Sequence, residues 1–402
     1  MENLSVHHNN KQLLAPEQLQ SKINRIVATV IKPNANIIDR HTQFPINNIQ
    51  ALASEGINGI LLPQDLGGLE LNYTAFATVT KEIAKACPST ALIYTMHVEA
   101  ARIIHTYGNE DQWERWLKPI RKGKFGTTST SEAATGGHYW YNLSEAARKN
   151  NGYVVHSKKS FTTSSGYADF YVLQTKSPDA KAPDDLTYFI IDGHQEGIIP
   201  GEWSALGVRG NHSSSLLFED IFVDSKDRIG DEGEGKEIVK DGIAYLIGLG
   251  AVWTGTAIGI FEETLSYAQH KVHHDVKKSL ADYQIIRSLL AKAKITISSL
   301  LAWQQSLTSQ LDEWQRSGEK TAPEQLKNEL LEFKVYASES ANEVAQIGLD
   351  VTGGFGYREG TLERFYRDAR AGIVMGPSNN VAREMIGKTL VGNSADLWNK
   401  ES

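Results

Sequence analysis

The fold is decided by the stretch Val351-Thr-Gly-Gly-Phe-Gly-Tyr357, which is followed by Glu363-Arg-Phe-Tyr-Arg-Asp-Ala369 and Gly376-Pro-Ser-Asn-Asn380. Its glycines allow the backbone to turn tightly and to approach a phosphate or a ribose closely. A glycine cluster between two helices is, on its own, more often a plain helix end and turn. The meaning of this stretch therefore depends on the segments that accompany it along the chain.

Length and charge limit what the protein can be. A chain of 402 residues is long enough for two or three domains that share a large core. The formal net charge of -7 argues against nucleic acid or an anionic membrane as the main partner, since both favour a basic surface. The single cysteine, Cys87, excludes an intramolecular disulfide and favours a cytoplasmic location. We predict a structural role for it.

Neither a targeting segment nor a metal site is expected. The N-terminus lacks the basic and apolar regions of a signal peptide. The apolar run 245–261 contains four glycines and is too short to cross a bilayer, so we predict a buried core helix. The pairs His7-His8 and His273-His274 have no companion ligands at metal spacing.

Hydrophobic periodicity divides the chain into three zones. Apolar residues recur at helical spacing from about residue 16 to 124 and again from about 236 to 392. Between them lie short β-rich runs separated by turn residues. The predicted strands are Tyr153–His156, Phe170–Leu173, Thr187–Ile191, Ser215–Phe218 and Ile221–Val223. The pattern predicts a helix–β–helix architecture of the α+β class, in which antiparallel strands form a small barrel or a sandwich.

Five further segments stand in a fixed order with the C-terminal stretch. They are Leu62–Leu69 (LPQDLGGL), Gly126–Gly137 (GTTSTSEAATGG), Lys159–Gly166 (KSFTTSSG), Leu206–Gly210 (LGVRG) and Phe218–Val223 (FEDIFV). The whole set resembles the motifs of the acyl-CoA dehydrogenase superfamily over nearly the entire chain. The resemblance implies an N-terminal α-helical domain over residues 1–124, a middle β-barrel or sandwich domain over 125–232, and a C-terminal four-helix bundle over 233–402.

The resemblance also implies bound FAD. Hydroxyl groups near the ring edge and a flat apolar wall are what a flavin requires of the protein. By resemblance, Thr130 and Ser131 would bond the ring edge, Phe161 would stack on it and Thr163 would face N5. The other implied FAD contacts are Gly353, Gly354, Ser378, Asn380 and, across a subunit boundary, Lys271.

Two departures from the family pattern concern the pyrophosphate. Asp350 stands where the family usually has glutamine, and Lys271 stands where it has arginine. Lysine keeps the charge but loses the bidentate fork of arginine. The subunit-crossing role of Lys271 nevertheless predicts a homo-oligomer, most simply a tetramer.

The base that removes the substrate's α-proton is missing from both positions that the family uses. The loop position holds Gly376, and the alternative position on the first long helix of the bundle holds Tyr245. Tyrosine could accept a proton only if its pKa fell by several units from about 10. We therefore expect negligible desaturation of plain straight-chain acyl-CoA, unless another residue supplies the base. The weak candidates are Tyr245, His97 and His138.

The implied substrate-lining residues surround this gap. They are Thr95, His97, His138, Arg209, Tyr245, Met375 and Gly376. The favoured interpretation is a flavoenzyme that acts on an acyl thioester, carried by coenzyme A or by a carrier protein, with an electron-transfer flavoprotein as redox partner. One alternative is a two-component monooxygenase that takes reduced FAD or FMN as a co-substrate from a flavin reductase. Another is a catalytically silent protein that binds flavin and thioester.

Overall fold

The computed structural model describes residues 14–393 except 137 and 183. The predicted domain ends 1–13 and 394–402, the pair His7-His8 and the turn residue Gly137 therefore lie outside the described residues. Within them the chain forms a helical region, two sheets and a second helical region. This order confirms the predicted helix–β–helix architecture.

The shorter helices of the N-terminal region surround its two longest helices, which pack against each other as a buried hairpin. Their bounds are α1 Pro16–Ile26, α2 Lys32–Arg40, α3 Ile46–Ser54, α4 Tyr73–Ala84, α5 Pro88–Tyr107 and α6 Glu110–Gln112. Pro88 opens α5, where the missing N–H of proline costs nothing. The thiol of Cys87 is buried and accepts a hydrogen bond from the Thr90 hydroxyl at 3.2 Å. Burial raises the pKa of this thiol, which fits the predicted structural role.

The middle region consists of two four-stranded sheets. Their strands are β1 Gly126–Ser129, β2 Ala147–Lys149, β3 Gly152–Thr162, β4 Phe170–Lys176, β5 Leu186–Asp192, β6 Ile198–Pro200, β7 Ser214–Asp224 and β8 Arg228–Ile229. The strand orders are β1-β4-β5-β8 and β2-β3-β7-β6, and the described strands do not close into a barrel. Of the two predicted alternatives, the sandwich is therefore the correct one.

Two details of the sheets differ from the sequence expectation. The runs expected as separate strands around Phe218 and Ile221 belong to the single strand β7. Strand β1 pairs with β4 in parallel, although only antiparallel pairing was expected. The four residues of β1 are Gly, Thr and Ser, and so short a run carries too little β-propensity to be predicted as a strand. The position of β1 is set by its burial beneath α5.

The C-terminal region is a helical bundle with three long helices, of 28, 34 and 29 residues, and shorter elements around them. Its elements are α7 Gly235–Asp241, α8 Ile243–His270, β9 Val272–His273, β10 Lys278–Ser279, α9 Gln284–Ser317, α10 Glu324–Thr352, α11 Gly354–Tyr357, α12 Thr361–Val374 and α13 Asn379–Leu390. Helix α9 ends at Ser317, and Gly318 takes the left-handed conformation (φ 73°), which lets the chain turn back towards α10.

Helix α8 is the buried core helix that the apolar run predicts. The stretch Gly235–His270 is long and apolar enough to cross a membrane, but 83% of its most apolar window is buried inside the fold. Its glycines permit close helix contacts: a Cβ at Gly255 would lie 2.3 Å from the Lys81 carbonyl oxygen, and one at Gly250 would lie 2.3 Å from the Phe333 ring. Such contacts bring α4 and α10 against α8.

Arg367 joins all three regions at one point. Its guanidinium forms a bidentate ion pair with Asp39 of α2 (2.5 and 3.1 Å) and pairs with Glu363 one turn earlier on α12. It also donates a hydrogen bond to the Leu206 carbonyl oxygen in the middle region at 3.0 Å. A planar guanidinium with several donors is the side chain that can serve such diverging acceptors.

The neighbouring Asp368 completes the junction. Its carboxylate accepts the backbone N–H of Val208 at 2.6 Å, while Val208 itself adopts a positive φ of 47°. A Cβ at Gly207 would lie 2.2 Å from the Arg367 carbonyl oxygen, so only glycine allows this approach. Burial raises the pKa of Asp368 to about 6. The Arg-Asp pair of the C-terminal stretch therefore fixes the 206–208 loop against the bundle.

We predict that Arg367→Met destabilises the protein by about 3 kcal/mol, because it leaves the buried Asp39 carboxylate and the partly exposed Glu363 carboxylate without their partner. Denaturant unfolding would measure the loss. Arg383→Met is the matched control: Arg383 pairs with Glu339 at the surface, where an ion pair contributes about 1 kcal/mol at most. Equal losses in both variants would contradict the central role of Arg367.

Candidate functional site

The turn after β1 lies directly beside the end of β3. The Ser160 backbone N–H donates to the Ser131 carbonyl oxygen at 2.9 Å, and Glu132 pairs with Lys159 as an isolated β-bridge. This pairing brings Thr130 and Ser131, which the sequence assigned to the flavin edge, next to the β3 residues with the same assignment. The structure therefore brings together two segments that are about thirty residues apart in the chain.

A buried ion pair holds this turn from beneath. Lys159 Nζ donates to Glu132 at 3.0 Å, to the Thr130 carbonyl oxygen at 3.1 Å and to the Gln174 carbonyl oxygen at 2.6 Å. The other carboxylate oxygen of Glu132 accepts the Leu143 N–H at 2.7 Å. Because both charges are fully hydrogen-bonded, the pair rigidly positions the turn despite its burial.

Burial governs the pKa values of this pair. It lowers the pKa of Lys159 to about 8, while Glu132 opposes the shift. Burial alone would raise the pKa of Glu132, but Lys159 and the Leu143 N–H together bring it below the ordinary value. At neutral pH the pair therefore stays charged.

Phe161 presents an exposed aromatic face, and a flavin requires a flat wall of this kind. Its ring is 69% exposed although it stands at the end of a central strand. Thr163, in contrast, is buried, and its hydroxyl lies 3.4 Å from that of Ser213. An exposed aromatic side chain beside a rigid turn fits a stacked isoalloxazine ring.

The glycine turn is open on its outer side. A Cβ built on Gly353 or on Gly354 meets no protein atom within 4 Å, and Gly353 has a φ of 57°. Ser378 precedes α13 and Asn380 is exposed in its first turn. Asp350 accepts a hydrogen bond from Gln346 at 2.8 Å, and Lys271 is exposed at the end of α8. The open glycine backbone fits the approach of a nucleotide.

The loop between α12 and α13 is held by Lys334 of α10. The buried ammonium donates to the Pro377 carbonyl oxygen (2.8 Å), the Met375 carbonyl oxygen (3.1 Å) and Asn379 Oδ1 (2.9 Å). Burial lowers the pKa of Lys334 to about 7, and Glu339 opposes this shift. The loop that carries the usual base position is therefore ordered by a side chain outside it.

Both base positions lie together. The Tyr245 hydroxyl donates a hydrogen bond to the Gly376 carbonyl oxygen. Although Tyr245 retains some accessible surface, burial of its hydroxyl raises its pKa, and the neighbouring Tyr139 and Glu99 raise it further. A lowered pKa was the condition for tyrosine to act as base, and this condition is not met. A Cβ on Gly376 would meet nothing within 4 Å.

His97 and Thr95 are enclosed by protein. His97 Nδ1 accepts the Gly126 backbone N–H at 3.0 Å, and burial lowers the pKa of this histidine to about 4. It is therefore a neutral side chain that links α5 to β1. Thr95 is fully buried, and its methyl group would lie 2.4 Å from a Cβ at Gly248. Both residues pack α5 rather than line an open channel.

Aromatic side chains crowd the segment after the flavin-side turn. His138 is exposed and its ring lies 5.2 Å from that of Trp140. The backbone of Tyr139 is held by Gln174, whose amide donates to the Tyr139 carbonyl oxygen at 2.9 Å. Arg209 donates to its own loop at the Ala205 carbonyl oxygen (3.0 Å). The structure thus places Tyr139 near Tyr245, a neighbour that the sequence analysis missed.

Glu99 is the second residue near this point that sequence reasoning missed. Its Oε2 accepts the Tyr245 backbone N–H at 3.1 Å, and Arg102 Nε lies 3.3 Å from the same oxygen. Arg102 also pairs with Asp241 at 2.8 Å, and Tyr107 donates to that carboxylate. The sequence did contain a signal for this cluster, namely a Glu-x-x-Arg pair within the apolar helix 91–104. Charges buried in such a helix require partners.

The described residues contain no group of three His, Cys, Asp or Glu side chains that could hold a metal ion. The exposed Phe161 ring, the rigid Thr130–Glu132 turn and the open Gly353-Gly354 backbone instead fit FAD. When bound, FAD supplies the two-electron redox chemistry, which no side chain can provide.

Models of the acyl-CoA dehydrogenase N-terminal, middle and C-terminal domains match residues 15–124, 127–221 and 246–391. The chain is 26% identical over 368 residues to the short-chain specific acyl-CoA dehydrogenase of Clostridium acetobutylicum, covering 88% of this chain and 92% of that one. It is 27% identical over 385 residues to the cyclohex-1-ene-1-carbonyl-CoA dehydrogenase of Syntrophus aciditrophicus, covering 93% and 89%.

A solved structure extends the similarity to the fold. Butyryl-CoA dehydrogenase from Megasphaera elsdenii superimposes with a TM-score of 0.86 at 23% identity, covering 93% of this chain and 97% of that one. The matched domains follow the same order as the helical, β and helical regions described above. The chain belongs to the acyl-CoA dehydrogenase family and is a FAD-dependent oxidoreductase.

Proposed function

We propose that this enzyme introduces or removes a C=C bond next to the carbonyl of a short acyl thioester, with coenzyme A as the first carrier to test. The observation that supports the proposal is the tight packing of α5 against α8, which would close the inner end of the acyl site. Thr95 is fully buried against Gly248, and Glu99 and Arg102 fill the next turns of α5. A long alkyl chain would have to displace these groups. The names of the relatives above, which include short-chain and cyclic acyl substrates, support the same choice.

Anaerobic titration with acyl-CoA of increasing length tests the proposal. We expect propanoyl-CoA or butyryl-CoA to bleach the flavin at least tenfold faster than octanoyl-CoA, because the packed α5–α8 contact excludes the longer chain. Preferential reduction by octanoyl-CoA would contradict the short-acyl assignment. A colourless protein that instead binds added reduced flavin and reacts with oxygen would favour the monooxygenase alternative. Reoxidation by an added electron-transfer flavoprotein would identify the class of redox partner.

We propose that FAD lies along the junction of the β region and the bundle. In this arrangement Thr130, Ser131 and Thr163 would contact the ring and Phe161 would stack on it. The Gly353-Gly354 backbone with Ser378 and Asn380 would face the adenosine half. The open space at the glycine turn and the exposed Phe161 ring support this arrangement.

Gly354→Val should abolish FAD retention and leave the fold intact. A Cβ at Gly354 meets no protein atom within 4 Å, so we expect the substitution to displace the cofactor and not the protein. Flavin absorbance per chain and thermal unfolding of the apoprotein would measure the two effects. Gly387→Val is the control, because Gly387 of α13 has equally open surroundings but lies away from the glycine turn. Unchanged FAD occupancy in Gly354→Val would count against the site.

We further propose a homotetramer in which Lys271 reaches the pyrophosphate of a neighbouring subunit. Apolar side chains around Lys271 and the glycine turn are exposed in the single chain, which supports a covered surface there. They are Val272, Val276, Phe355 and Tyr357. Light scattering at micromolar concentration should give four times the mass of the chain. A monomeric mass would refute this arrangement.

A further inference from the structure

Every second residue of the segment 375–380 is held by one side chain. The buried ammonium of Lys334 on α10 donates three hydrogen bonds to this segment. The acceptors are the carbonyl oxygens of Met375 (3.1 Å) and Pro377 (2.8 Å) and the side-chain oxygen Oδ1 of Asn379 (2.9 Å). An ammonium group has three N–H donors, so all three are used here. Pro377 and Asn379 are buried as well, and this side of the segment faces α10.

The intervening residues turn to the other side. Gly376 and Asn380 are exposed, and Ser378 is partly exposed. The Gly376 carbonyl oxygen accepts the Tyr245 hydroxyl and is therefore directed at α8 rather than at α10. The chain is extended on either side of Gly376-Pro377, with ψ angles of 141° and 153°. Extended backbone turns successive residues in different directions, which accounts for the alternation.

Asn379 fixes the same register a second time. Its Nδ2 donates to the Ser338 hydroxyl and to the Glu339 carboxylate of α10, both at 3.0 Å. The segment is therefore held at two successive turns of α10, by Lys334 and by Ser338 with Glu339. As in a β-strand, a shift by one residue would exchange the two sides of the segment. The bonds to both turns oppose such a shift.

We propose that Lys334 is a positioning residue that sets this register before either ligand binds, for FAD and for the acyl thioester alike. The accessible side of the segment carries its three predicted site residues. Gly376 stands at the family's base position, and Ser378 and Asn380 are assigned to the adenosine half of FAD. The acyl part of the inference rests on the proposed function. All three donors of Lys334 are used within the protein, so it acts through the segment and not on a ligand.

Ordering the segment in advance has a measurable signature. Without Lys334, the first ligand to bind would have to order the segment, and the second ligand would then find it ordered. Each ligand alone would bind more weakly, because it bears the cost of ordering. The two ligands together would support each other, and such coupling is reciprocal. Loss of Lys334 should therefore weaken FAD binding and strengthen the coupling between FAD and the acyl ligand.

FAD release from the holoenzyme, followed by the fluorescence of free FAD after dilution, tests the assignment. Lys334→Met should release FAD at least about tenfold faster than the wild type, as expected from the loss of one hydrogen bond to a charged group. A saturating non-oxidisable butyryl-CoA analogue slows the release by a factor that should be about fivefold larger in the variant than in the wild type. Thermal unfolding would establish that the variant is folded.

Asn342→Ala is the matched control. Asn342 lies two turns further along α10 and donates to the Ala369 carbonyl oxygen of α12 at 2.7 Å. It connects α10 to the helix that precedes the segment without contacting the segment itself. This variant should unfold at a lower temperature, but its FAD release and the effect of the analogue should keep their wild-type values.

A second variant keeps the test decisive if Lys334→Met does not fold. Asn379→Ala removes one of the three acceptors together with the bonds to Ser338 and Glu339, so it should change both measurements in the same direction. Wild-type FAD release from the folded variant would overturn the proposal. So would faster release with the same slowing by the analogue as in the wild type, because that result indicates general loosening and not a lost register.

Failure of the proposed function would be recognised separately. Butyryl-CoA that neither binds to the wild type nor reduces its flavin would contradict the acyl-thioester function. Faster FAD release from Lys334→Met would in that case still support the role of Lys334 at the FAD site, since this measurement needs no acyl ligand.

Discussion

The ion pairs of Arg367 are the constraint on which the rest of the structure depends. One guanidinium holds α2, α12 and the 206–208 loop together, and the adjacent Asp368 fixes that loop through the Val208 N–H. This junction connects the β region, which carries Phe161, to the bundle, which carries Gly376. The exposed ring, the open glycines and the loop held by Lys334 are each local features. In the proposed site their relative positions depend on the junction.

The sequence was sufficient for the architecture. Helical periodicity and the Gly353–Ala369 stretch predicted the helix–β–helix order, and the buried helix α8 followed from its glycines. The sequence did not predict the environments of individual side chains. The enclosure of His97 depends on the Gly126 N–H, which comes from a strand too short and too polar to recognise. The bond between Tyr245 and Gly376 joins residues 131 positions apart, and no local pattern encodes it.

The cluster of Glu99, Arg102 and Asp241 shows why the sequence alone does not reveal which buried charges lie together. On the sequence, Glu99 and Arg102 are a charged pair in an apolar helix, and only the fold adds Asp241 and makes the cluster unbalanced. An excess buried charge is costly unless it is paired or neutralised.

The most direct measurement is a crystal structure of the FAD holoenzyme with a non-oxidisable butyryl-CoA analogue. The account predicts the analogue's carbonyl end beside Gly376 and Phe161, at the junction of the β region and the bundle. A structure in which the analogue binds elsewhere, or in which FAD does not stack on Phe161, would contradict it.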